Sequence, residues 1–133
     1  MKSLKFFFLI TDVGFILYWL ITFLHIIPEA YLFKDYHNSI LIAWNWSFFP
    51  LDMCISFSGI TSIFLYKRKN PLWARVALIS LVLTFCSGLQ AVSFWFLRKD
   101  FDVMWWTFNL YLLVYPLFFV KKILRISVIE VDR

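Results

Sequence analysis

Four long apolar runs divide the chain, separated by short polar segments. They cover roughly residues 4–27, 40–65, 72–97 and 103–120. Each approaches or exceeds the roughly 20 residues that a helix needs to cross about 30 Å of hydrocarbon. A backbone in lipid must satisfy its own hydrogen bonds, and none of the runs alternates as a barrel strand does, so helix is the expected state. The pattern predicts an all-α fold: one membrane domain over residues 1–133, a four-transmembrane-helix bundle with a basic tail at 121–133. The first run is too long for a signal-peptide core of about 7–15 residues and lacks a small-residue cleavage site after it, so it is expected to stay as a helix.

The charges between the runs set the direction of threading. Lys2, Lys5, Lys67, Arg68, Lys69, Arg75, Lys121, Lys122, Arg125 and Arg133 fall on one side, ten of the 13 basic residues; Lys34, Arg98 and Lys99 fall on the other. Basic residues concentrate in cytoplasmic loops, so the N-terminus and C-terminus are expected to be cytoplasmic and residues 28–39 and 98–102 external. Trp44, Trp46, Trp95, Trp105 and Trp106 lie near the expected outer boundary, the level that suits amphipathic rings.

Composition agrees with a bilayer as the main partner. The chain is 62% hydrophobic and 16% charged, with a mean hydropathy of +0.79; soluble domains run about 45–50% apolar and about 25% charged. The net charge of +5 does not point to nucleic acid, because the basic residues are scattered over short loops and form no recognition element. The expected location is the plasma membrane. Cys54 and Cys86 form neither a C-x-x-C nor a zinc spacing and are expected to be small buried packing residues.

Helical spacing sorts the polar residues within the runs into faces. Run one carries Thr11, Gly14, Tyr18, Thr22 and His25 on one stripe, expected to point inward. Run two carries a small-residue seam of Cys54, Ser58 and Ser62, which Ser80, Thr84, Gly88 and Ala91 of run three answer; such seams let helices approach closely in lipid. The other face of run two holds Asn45, Asp52, Ser56 and Gly59, with Pro50 freeing the carbonyl of Trp46.

Asp52 is the most informative residue. It falls near the middle of run two, where an Asp in lipid costs about 2.5–3.5 kcal/mol, and no Lys or Arg lies at that depth. Such residues face the bundle interior and mark sites. Asp12 lies nearer the inner boundary and is expected to hydrogen-bond toward interfacial water. His25, Asn45, Gln90 and Asn109 fall at similar depth on four different helices, above Asp52. Asp52, Asn45, Gln90, Asn109, His25 and Asp12 are therefore the candidate ligand-binding residues. A metal or haem site would need a second His at the depth of His25, and His37 is in a loop, so no metal and no cofactor is expected.

The segments FFFLITDVGFILYWLITFLHIIPEAYLFKDYHNSILIAWNWSFFPLD and ALISLVLTFCSGLQAVSFWF, with the WW and YPLFF elements of run four, resemble the YvaD family of small multi-pass membrane proteins from Bacillus-type bacteria. The resemblance implies four spans and a plasma-membrane location, and it supplies no reaction and no catalytic residues. The chain is also similar in architecture alone to the sigma-2 receptor and emopamil-binding class, where Asp12, Asp52 and Trp44 would fill comparable roles.

Three functional classes follow. In the first, a small hydrophobic or cationic ligand enters an outward-facing pocket around Asp52. In the second, the protein is structural or accessory, as a homo-oligomer or with a membrane protein partner, and its polar residues only join helices. In the third and least favoured, it is a lipid-directed enzyme with Asp52 as acid or base and His25 assisting. No ring of charges and no inverted repeat suggests a channel or pump.

Overall fold

The computed structural model describes residues 1–129. Within them the protein is all-helical: α1 (Lys2–Phe23), α2 (Ser39–Lys67), α3 (Trp73–Leu97) and α4 (Val103–Ile129), plus one 3-10 turn at Glu29–Tyr31 in the first connection. The helices run up and down. Residues meet in antiparallel order between α1 and α2 (Asp12 with Gly59, Tyr18 with Asn45) and between α2 and α3 (Ser62 with Trp73, Trp44 with Phe94), and Gly88 of α3 meets the backbone of α4 at Leu113. Phe7 closes the ring, lying on Tyr111, Tyr115 and Phe119 of α4 at ring distances of 5.1–6.2 Å. The start of α1, the Ile129 end of α4 and the 68–72 turn share one end of the bundle; residues 24–38 and the 98–102 turn share the distal end.

Local chemistry starts and stops the helices. Asn38 Oδ1 accepts from the Ile40 amide at 3.0 Å, and Asp102 Oδ1 from the Trp105 amide at 3.0 Å, satisfying N–H groups that a first turn leaves open. Three C-termini end alike, with His25, Lys69 and Lys99 in the left-handed region at φ 53–55°. The next amide then bonds back to the helix: Ile26 to Ile21, Asn70 to Leu65 and Asp100 to Trp95, at 3.0–3.2 Å. This is the Schellman closure, made here with side-chain-bearing residues where glycine is usual.

Small polar residues are buried beside the apolar ones of the interior, and large apolar residues lie on the exterior. Ser62, Ser80 and Thr84 are fully buried, whereas Phe57, Phe118 and Leu97 lie largely open on the outside. Water would favour the reverse; in lipid, small polar residues let helices meet and large apolar ones cost nothing on the outside. Helices α1, α2 and α3 are each long and apolar enough to cross a membrane.

Several expected contacts are placed differently. Ser62 and Ser80 do join α2 to α3, donating to the carbonyls of Trp73 (3.0 Å) and Ile55 (3.3 Å). Gly88, however, faces α4: a Cβ there would meet the Leu113 nitrogen at 2.5 Å and the Asn109 carbonyl oxygen at 2.8 Å. Cys54 and Cys86 are exposed on the bundle surface, not buried. Gly14 also faces outward, with nothing within 4 Å of its would-be Cβ. Helix α4 does not stop at the basic residues but runs on to Ile129, burying Ile123 and Ser127. Arg133 lies outside the described residues.

Candidate functional site

The polar face of α2 is turned toward α1. Asp52 is 4% exposed and holds three helices together: Oδ2 accepts from Trp19 Nε1 of α1 at 2.9 Å, and Oδ1 accepts from Ser87 Oγ of α3 at 3.2 Å. Trp19 is seated by Trp46 at 5.1 Å and Phe49 at 5.4 Å, one on either side of α2's Ser47–Phe48 step. One turn further along α2, Ser56 Oγ donates to the Asp12 carbonyl at 3.0 Å. Gly59 follows, and the Asp12 carboxyl rests against it.

Asp12 departs from expectation. It is 0% exposed and reaches no interface; neither carboxyl oxygen has a hydrogen-bond partner among the described residues. Its neighbour Thr11 bonds the Tyr111 hydroxyl at 3.1 Å, and the Tyr115 hydroxyl close by is likewise without a partner.

A depression of about 190 Å³ opens at the distal end. Its walls are Tyr18, Thr22 and His25 of α1, Asn45 of α2, Trp105 of α4, and Ile27, Glu29, Leu32, Phe33 and Tyr36 of the first connection. Tyr18 donates its hydroxyl to Asn45 Oδ1 at 3.3 Å, forming part of that wall. Phe33 holds the connection down. It is 5% exposed and packs on Tyr36 (5.1 Å), Trp95 (5.7 Å) and Trp105 (6.1 Å). Arg98 Nη2 reaches Asp35 Oδ2 at 2.9 Å and ties the same segment to the end of α3. Glu29 is exposed at the mouth, with His37 Nε2 3.7 Å away.

The six candidate residues therefore do not converge. His25 and Asn45 line the depression. Asp52 does not line it; it is engaged by Trp19 and Ser87. Asp12 is enclosed further toward the terminal end. Gln90 is exposed on the outside of α3. Asn109 turns its amide to the carbonyl of Trp105 on its own helix, at 2.7 Å. Trp19, Glu29 and Phe33 belong to these arrangements without being among the six candidates. Trp19 carried a signal: a buried indole N–H needs an acceptor, and Asp52 heads the acceptor face of the neighbouring helix. Phe33 carried none, since a connection without periodicity does not say which ring turns inward.

Residues 4–130 match DUF5360, a family of unknown function. The chain belongs to that family. It is similar to the uncharacterized protein YvaD of Bacillus subtilis (strain 168), with 55% identity over 125 residues, 94% of each chain. The resemblance seen in the sequence is thereby borne out. No solved structure matches this DUF5360 chain.

Proposed function

We propose that this DUF5360 member is a multi-pass plasma-membrane protein with four spans, both termini in the cytoplasm, and an external depression that binds a small organic cation. The fourth span rests on α4, whose residues 103–120 carry no Asp, Glu, Lys or Arg, and the orientation rests on the basic residues gathered at the terminal end. A terminal tag reached by a membrane-impermeant protease from outside would overturn the orientation.

One observation carries the ligand class. The depression combines aromatic rings, Tyr18, Phe33, Tyr36 and Trp105, with the Glu29 carboxylate. Aromatic faces and an acid are the usual surroundings for an ammonium group. The volume of about 190 Å³ is below the roughly 300–1,000 Å³ of drug-sized pockets, which disfavours a lipid or a bulky apolar ligand. The test is titration of the protein in nanodiscs with tetramethylammonium, read by tryptophan fluorescence, against a neutral compound of the same shape. Saturable binding that falls about tenfold in Trp105→Leu and Glu29→Gln supports the reading. Equal binding of the neutral compound, or none of either, overturns it.

A second reading, helix packing alone, is favoured at Asp52: both its donors come from neighbouring helices, so it serves the bundle rather than the depression. Asp52 is in this view the support beneath the site and not its contact.

A further inference from the structure

Gln90 sits on the outside of α3, and its amide makes no hydrogen bond among the described residues. It is not alone there by accident of one rotamer. At about 100° per residue, Ile79, Val82, Cys86, Gln90 and Leu97 fall on one stripe, and all five are exposed. Ser87 and Gly88, on other faces, meet α2 and α4. The stripe therefore points away from both neighbours, toward the apolar surroundings of a helix that is long and apolar enough to span. Seven residues separate Gln90 from the end of α3 at Leu97, about 10 Å of helix. An amide at that depth has no water to bond and is a drive for helix association.

We infer that two copies of the chain associate in the bilayer along this stripe, with Gln90 bonded to the Gln90 of the second copy. The occupant follows from geometry. Copies of one membrane protein share one orientation, so a two-fold axis along the membrane normal brings α3 against α3 in parallel and sets each residue opposite itself. A primary amide carries both donors and an acceptor, so two of them at one depth satisfy each other. Cys86, one turn away and small, lets the backbones come close at that level and lies opposite its own copy. The interface is independent of the distal depression and of what binds there.

Cys86 also reports on the pairing. In a Cys54→Ala background, copper–phenanthroline oxidation of native membranes should give a disulfide-linked dimer through Cys86. Gln90→Leu keeps the volume and removes the amide. It should weaken association by about 3- to 30-fold, the range for loss of one such intramembrane bond, and reduce the dimer accordingly. The Cys86→Ala protein keeps Cys54, exposed on α2, and should cross-link far less. A Cys86 dimer unaffected by Gln90→Leu, equal cross-linking through Cys54, or no Cys86 dimer at all would each overturn the inference.

Discussion

The carboxyl of Asp12 on α1 lies directly against Gly59 of α2: a Cβ on that glycine would stand 2.7 Å from the carboxyl carbon and 2.9 Å from Oδ1. Neither partner has room to withdraw, because Asp12 is fully enclosed. Gly59→Ala should therefore force α1 and α2 apart and destabilise the bundle by about 1–3 kcal/mol, the range for overpacking a tight core. Adding Asp12→Ala should restore most of the loss, since the two changes share one contact and are not additive. Thermal unfolding of the two single variants and the double variant checks this. Additive losses would mean that the two residues do not meet.

At Asp52 the expected outcomes separate hydrogen bonding from charge. Asn keeps an acceptor oxygen for the Trp19 indole, which can only donate, and its NH₂ can donate to the Ser87 hydroxyl, which rotates to accept. Asp52→Asn should thus cost less than about 1 kcal/mol. Asp52→Leu strands both donors in the interior and should cost about 2–4 kcal/mol. Unfolding in a denaturing-detergent titration distinguishes them. An Asn variant as damaged as the Leu variant would mean that the carboxylate is held for its charge.

The glycines of α1 and α3 predict opposite outcomes. Gly88 abuts the backbone of α4 at Asn109–Leu113, just where Pro116 removes the amide that would bond the Leu112 carbonyl. An added methyl there has rigid backbone to meet, and Gly88→Ala should destabilise by about 1–3 kcal/mol. Gly14 faces open space, so Gly14→Ala should be neutral or stabilising by up to about 1 kcal/mol through helix propensity. Parallel melting curves for the two variants make the comparison.

These contacts also show what the sequence could and could not disclose. The face of Asn45, Asp52, Ser56 and Gly59 was legible because helical periodicity alone groups them, and the structure turns that face onto α1. Periodicity does not say which neighbour a face meets. Gly88 fits the α2 seam by spacing yet meets α4, and Cys54 shares the spacing of Ser62 yet lies outside. Equal depth did not bring Gln90 and Asn109 together either, because depth fixes height along a helix and not rotation about it. Asn109 further had a partner on its own chain, the Trp105 carbonyl, which any such residue in a helix can find.

The first connection should behave as a hinged wall whose latch is Phe33 and not the ion pair beside it. Phe33 is almost fully enclosed by Tyr36, Trp95 and Trp105. The Arg98–Asp35 pair is short at 2.9 Å, but its side chains are 34% and 54% exposed, and pairs so wet contribute about 0–1 kcal/mol. Phe33→Ala should release residues 28–38. A loss of about 2 kcal/mol of local stability would speed their amide exchange about 30-fold, while amides in the middle of α2 and α3 stay protected. Asp35→Ala should change the same amides only a few-fold. Hydrogen–deuterium exchange in nanodiscs reads both variants at once. If Asp35→Ala loosens the segment as much as Phe33→Ala, the apolar seat of Phe33 is not what holds the wall of the depression.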